Sequence, residues 1–217
     1  MKLLFVYRFC GLGGVETSVL NRVKALQGIG VEVEVLFSEY YGIGGSSIAN
    51  HPRVTFGLQE NEVIDFLHRG FDVIFVIDYP EFIDVIEGAQ IRSKLLFESH
   101  CAFPPALKHF HRKLDSSRIA GIVVPSRFNQ RLVEESISTT KDFFVIPNPI
   151  NTEVFYLRPL HSLKQRFQGL LNAPVIAWVG RLENEKNPLE FLTLAEALLR
   201  VRPTLHFLVV GDTPNYD

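Results

Sequence analysis

Residues 173–199 read APVIAWVGRLENEKNPLEFLTLAEALL, and their order decides the fold class. Val175–Val179 is a short apolar run closed by Gly180, which reads as a buried strand. The loop that follows carries two cations, Arg181 and Lys186. Asn187 is of the N-cap type, Pro188 suits the first helical position, and Glu190 stands where a capping-box acid would. Phe191, Leu192, Ala195, Leu198 and Leu199 then recur at helical spacing. A strand feeding a cation-bearing loop at a helix N-terminus is an anion site in outline, because unpaired N–H groups and the helix dipole add to the fixed cations. The same residues also describe two solvated cations in an ordinary strand-to-helix loop.

The strand–loop–helix rhythm extends through the chain. Residues 2–7 form a nearly continuous apolar strand, as expected of a parallel strand covered on both faces. A loop with Gly11, Gly13 and Gly14 follows, then a helix over 15–27 and a strand over 31–37. Further strands are read at 54–56, 72–77, 93–98, 121–124 and 143–146. Helices are read at 62–68, 81–87, 106–114 and from the Ser126 cap through Glu135, and residues 38–52 read as loop. The Pro147–Asn148–Pro149 turn opens a polar stretch with a helix over 160–167. Strands at 175–179 and 206–210 flank the helix after Asn187. The architecture is α/β: a doubly wound, parallel, Rossmann-like domain over 1–170, then an incomplete second Rossmann-like domain over 171–217. One βαβ unit of about 45 residues is small for its own core, so the sequence reads as the front portion of a longer protein.

Charge and composition narrow the partners. With 22 basic and 24 acidic residues the formal net charge is -2, which gives no whole-chain footprint for nucleic acid. Lys108, Arg112 and Lys113 form a local basic patch. Two cysteines without a CxxC pair make a disulfide framework unexpected and a reducing, cytoplasmic setting the default. No run approaches the roughly 20 apolar residues of a membrane span, which leaves peripheral membrane contact open.

In doubly wound sheets, ligands bind outside the carboxyl ends of the strands, so the loops there carry the candidates. Gly11–Leu12–Gly13 suggests a dinucleotide fingerprint, but Glu16 stands at the third glycine, where an acid would repel a pyrophosphate. An NAD(P)-binding oxidoreductase therefore remains only an alternative, with Glu39 as its ribose acid. The glycines otherwise make a tight turn, or keep the loop low for a substrate. Glu16 can also simply complement the helix dipole. His100, at the end of a buried strand, is the catalytic candidate, able to bind a polar group or to be a hydrogen-bonded structural residue. Asp78 and Glu81 could do acid/base work. His100, Cys101, His109 and His111 do not make a convincing metal set, because His109 and His111 point apart on a helix.

Several segments together resemble one family. GGVETSVLNRVKALQGIGVEVEVL is similar to the glycine-rich loop, helix and second strand of retaining family-4 glycosyltransferases with the GT-B fold. IVVPSRF, VIPNPIN, WVGRLENEKNPLEFL and LVVGD resemble, in order, that family's VPS segment, PNGVD-type turn, VGRL…KG signature and IVGDG strand end. The resemblance implies two Rossmann-like domains, transfer of a sugar from a nucleotide-sugar donor with retention, and no cofactor or catalytic metal. The acceptor would be a glycan, lipid or small molecule. Arg181 and Lys186 would hold the donor diphosphate. Gly13, Gly14 and Glu16 would form the donor/acceptor loop. His100 would lie near the transferred sugar, and Glu81, Ser126 and Asn148 are candidates for substrate contact. Cys101, Asn187 and Pro149 depart from the pattern, the last two replacing glycines. The acidic EX7E motif is not in these residues, so the chain alone is expected to have little transferase activity. A non-catalytic binding module reusing the fold is the other reading.

Overall fold

A computed structural model describes residues 1–40, 44–101, 114, 117–137, 139–159 and 173–212. The chain divides into two compact units, Met1–Asn151 and Thr152–Asp217. The helix readings at 106–114 and 160–167 lie outside the described residues, apart from Leu114. So do His109, His111 and the basic patch at Lys108, Arg112 and Lys113.

The first unit is built on a seven-stranded sheet. Its strands are β1 (Lys2–Cys10), β2 (Glu32–Tyr40), β3 (Val54–Phe56), β4 (Val73–Ile77), β5 (Lys94–Glu98), β6 (Ile119–Val124) and β7 (Phe143–Val145). Every pairing is parallel, and the spatial order is β3-β2-β1-β4-β5-β6-β7. The order reverses between β1 and β4, the switch point where such sheets open a crevice at their carboxyl ends. The described residues include helices α1 (Gly14–Gly28), α2 (Gly45–Ala49), α3 (Glu60–Leu67), α4 (Phe82–Gly88) and α5 (Arg127–Ser136).

The sheet is covered on both faces, which is why its strands are nearly continuous apolar runs. One core gathers Leu4, Val6, Ile74, Val76, Leu95, Phe97, Ile122 and Val124 with Phe82, Ile83 and Ile86 of α4 and Val133 of α5. The other joins Leu3, Phe5, Val33, Val35 and Phe37 to Val19 and Val23 of α1.

Three sequence expectations change. β1 and β2 run three residues further than read, because Phe9 pairs with Glu39 and Cys10 with Tyr40. The glycine loop is therefore shorter and begins at Gly11. The loop expected over 38–52 contains α2, which sits where only glycine fits: a Cβ on Gly45 would lie 2.5 Å from the Cys10 carbonyl oxygen. α3 starts two residues early, at Glu60, because Glu62 caps it from inside, its Oε2 accepting from the Gln59 N–H at 2.7 Å.

The second unit pairs β8 (Val175–Val179) with β9 (His206–Val210) in parallel, joined by a 3-10 turn (Asn184–Lys186) and α6 (Pro188–Val201). The two strand ends meet closely: a Cβ on Gly211 would stand 1.8 Å from the Gly180 carbonyl oxygen, and Gly180 N–H donates to Val210 O at 3.0 Å. Asn187 holds the N-cap position, but its side chain makes no cap hydrogen bond and Glu190 closes no capping box. The reason is its backbone, left-handed at φ 49, which ends the 3-10 turn and starts α6 in one residue. This also accounts for asparagine where the resembled signature carries glycine, since those two residues tolerate this conformation best. Asn187→Gly should accordingly leave thermal stability nearly unchanged, and Asn187→Val should cost about 1–2 kcal/mol, read by denaturant unfolding.

Candidate functional site

The carboxyl rim of the first sheet is organised around buried charge. Glu98, the last residue of β5, is 1% exposed, and its Oε2 accepts from Arg22 of α1 at 2.6 Å. Its Oε1 meets His100 Nε2 at 2.5 Å. Burial pushes the Glu98 carboxyl up, but the hydrogen bonds from His100 and Arg22 and the Arg22 charge outweigh it and hold the group below the usual range. Glu98 is thus an anion at neutral pH, with a proton donor on each oxygen.

Asp78 follows β4 with a left-handed φ of 43. Its carboxylate accepts from the His100 N–H at 3.1 and 3.2 Å, the Cys101 N–H at 3.3 Å and the Ser99 hydroxyl at 3.3 Å. Those bonds compensate a conformation that aspartate already tolerates better than most residues. Burial raises the Asp78 carboxyl to about 6, against the opposing pull of His100 and of these hydrogen bonds. Asp78 therefore clamps the 99–101 backbone. Glu81, by contrast, is exposed at the cap position of α4.

In the glycine loop, Gly13 and Gly14 have different surroundings. Glu16 is 4% exposed, and a Cβ on Gly13 would fall 2.5 Å from Glu16 Oε2. Gly13 is glycine because the Glu16 carboxylate folds over it. Gly14 has open space where a side chain would be. Nearby, Cys10 is fully buried and its thiol donates to Gly45 O at 3.4 Å. Burial, then the Glu16 charge, pushes that thiol up to about 11, so it stays protonated and unreactive.

The remaining candidates have structural partners. Ser126 caps α5, its Oγ accepting from the Asn129 N–H at 3.1 Å and donating to Asn129 Oδ1 at 2.7 Å. Asn148 Oδ1 accepts from Ser18 Oγ at 3.0 Å, and Asn21 Nδ2 donates to Pro149 O at 3.1 Å. These two bonds pin the 148–149 turn to α1.

In the second unit, Arg181 and Lys186 stand on the loop after β8, as read, but with carboxylates beside them. Arg181 pairs with Glu183 at 3.2 Å and Glu185 at 3.9 Å, and Lys186 pairs with Glu185 at 2.7 Å. The Lys186 hydrogen bond, then its charge, lowers Glu185 from its ordinary value. Both acids stand in the sequence two and four residues after Arg181, so the loop is not a purely cationic one. Trp178 Nε1 also donates to Lys186 O at 3.2 Å and fixes the loop backbone.

Among the described residues no group of three or more His, Cys, Asp and Glu side chains could hold a metal ion. No described helix is long and apolar enough to cross a membrane.

No protein-family model matches the chain. A lipopolysaccharide 1,2-N-acetylglucosaminetransferase of Salmonella typhimurium is 28% identical over 120 residues, 55% of this chain and 29% of that protein. Among solved structures, Anabaena HepE in complex with UDP-glucose matches 100% of this chain and 62% of its own at TM-score 0.75 and 18% identity. A glycosyltransferase from Rickettsia africae matches 97% of this chain and 60% of its own, at TM-score 0.72 and 18% identity. These structures share the parallel-sheet, Rossmann-like fold. The chain spans under a third of the curated relative's length and about three fifths of each of those structures.

The rim makes a pH prediction. Asp78 has its folded pKa raised from 3.8 to about 6, so the folded state holds this proton more tightly than the unfolded chain. Its stabilising contribution is complete below about pH 4 and lost as pH rises through about 6. Wild type should therefore lose about 1–3 kcal/mol relative to Asp78→Asn between about pH 4 and pH 7, measured by urea unfolding of both proteins. An equal difference at the two pH values would show that Asp78 ionises normally.

Proposed function

We propose that the chain is part of a glycosyltransferase of the retaining family-4 class, drawing a sugar from a nucleotide-sugar donor. The observation that carries this reading is the 28% identity over 120 residues to a curated N-acetylglucosaminetransferase. The fold supports it, since structural neighbours at TM-score 0.75 were solved with UDP and UDP-glucose. A UDP-sugar is the donor class to test first, with a glycan, lipid or small molecule as acceptor.

In this reading each named group has a definite task. Departure of the nucleoside diphosphate concentrates negative charge on its phosphate oxygens, and Arg181 and Lys186 stabilise that charge. At rest their positive charge is screened by Glu183 and Glu185. The Lys186–Glu185 pair is exposed, and such pairs are worth roughly 0–1 kcal/mol, so a diphosphate can displace it at little cost. The N–H groups at the start of α6 add partial positive charge. His100 meets a hydroxyl of the transferred sugar. Gly14, open above its Cα, lets a substrate approach the loop backbone. Neither a cofactor nor a metal is assigned a step.

Two measurements test the reading. A saturating nucleotide-sugar should raise thermal stability, by about 2.7 kcal/mol at 100 times its Kd, when a panel of sugar nucleotides is screened. In a transfer-competent protein that contains this chain, Arg181→Ala and Lys186→Ala should each reduce kcat/KM about 100-fold or more. Near-normal transfer in both variants would remove the loop from the donor site. A panel without any stabilising nucleotide would remove the proposed function.

A further inference from the structure

His100 is held more tightly than a substrate-binding histidine requires. One face of the arrangement is covalently close: Glu98 lies two residues before His100, and its Oε1 meets Nε2 at 2.5 Å. The other face is distant in sequence. Arg22, on α1, reaches Glu98 Oε2 at 2.6 Å, with its side chain only 10% exposed. The His100 backbone is fixed separately by Asp78, through the N–H bonds at 3.1 and 3.2 Å. Ring and backbone are thus positioned by three acidic or basic groups from three different segments.

For a neutral imidazole the hydrogen-bond chemistry has one consistent solution. Arg22 can only donate, so it requires an acceptor oxygen on residue 98. The second oxygen of the carboxylate is also an acceptor, so the His100 nitrogen facing it must carry the proton. A neutral imidazole carries one N–H. With that proton on Nε2, Nδ1 is left as the ring's acceptor, and among the described residues no hydrogen bond to Nδ1 is formed.

We propose that Glu98, anchored by Arg22, is a positioning residue that fixes His100 as its Nε2–H tautomer and presents Nδ1 as an acceptor for a substrate hydroxyl. The tautomer stands on the geometry alone; the hydroxyl rests on the proposed glycosyl transfer. A sugar hydroxyl donates to Nδ1, and no covalent or redox step is involved. The consequence for the reaction is that His100 orients the sugar by accepting, with its second nitrogen unavailable for exchange with substrate.

Glu98→Gln tests this with an isosteric change. Arg22 still demands an acceptor, so the carboxamide oxygen turns to it and the NH2 group faces His100. That group donates, which forces Nε2 to be bare and moves the proton to Nδ1. Nitrogen-15 correlation spectra of the histidine rings, recorded at a pH where His100 is neutral, read the tautomer directly. Wild type should show protonated Nε2 and bare Nδ1, and Glu98→Gln should show the reverse. With a substrate-facing donor replacing the acceptor, kcat/KM should fall about 10–100-fold, the usual effect of losing an outer orienting partner. A wild-type ring protonated on Nδ1 overturns the proposal, and this result needs no variant to fold. An unchanged tautomer in folded Glu98→Gln overturns it as well. If the tautomer reverses as expected but His100→Ala transfers sugar normally, the positioning role stands and the hydroxyl contact is excluded.

Discussion

The buried ion pair between Arg22 and Glu98 is the constraint on which the first unit's rim depends. Both side chains are removed from water, with Glu98 1% and Arg22 9% exposed. Removing one partner from such a pair leaves a buried charge that typically costs about 3–5 kcal/mol, so each residue makes the other obligatory. The pair ties α1 to the end of β5, 76 residues away in sequence. His100 Nε2 meets the other Glu98 oxygen, and Asp78 locks the backbone that carries the ring. Arg22 Nε takes no partner. The pair is therefore anchored through one arm of the guanidinium, an arrangement that favours defined position over maximal bonding.

Helix α1 gathers the rest of the rim onto the same element. Its first turn brings Glu16 over Gly13. Ser18 and Asn21 hold Asn148 and the Pro149 carbonyl, and Arg22 holds Glu98. Residues 18 and 22 are one turn apart and so share a face, which lets one helix fix both the 148–149 turn and the end of β5. The switch point between β1 and β4 lies under this helix's start, where a doubly wound sheet accepts ligands. In the second unit the charges are instead paired locally along one loop, with Lys186 and Glu185 exposed and Arg181 and Glu183 half-buried.

Much of this was legible in the chain, and the failures have physical causes. β8 and β9 match their expected bounds, because each is an apolar run stopped by glycine at a tight contact. Ser126 caps α5 as its residue type suggests, since that signal is local. α2 is hidden in the sequence, because glycine- and serine-rich sequence reads as loop unless the packing of Gly45 on Cys10 is known. Asn187 reveals its position but not its mechanism, because residue type does not reveal φ. Glu98 is a visible anomaly, a charged residue ending the apolar run LLFE, but its partner Arg22 does not follow from spacing. His100 is legible at a strand end, whereas the carboxylate that faces its ring is not.

The proposed role of Gly180–Asn187 is that of a nucleotide-diphosphate loop that trades its own carboxylates for a ligand. Backbone amide spectra of this loop during titration with a UDP-sugar address that role most directly. Saturable shifts across residues 180–187 are expected, reversed by a competing ligand lacking the sugar only in proportion to its own affinity, and strongly weakened in Arg181→Ala. A titration that leaves these amides unmoved, or moves them equally in Arg181→Ala, would overturn the proposed role.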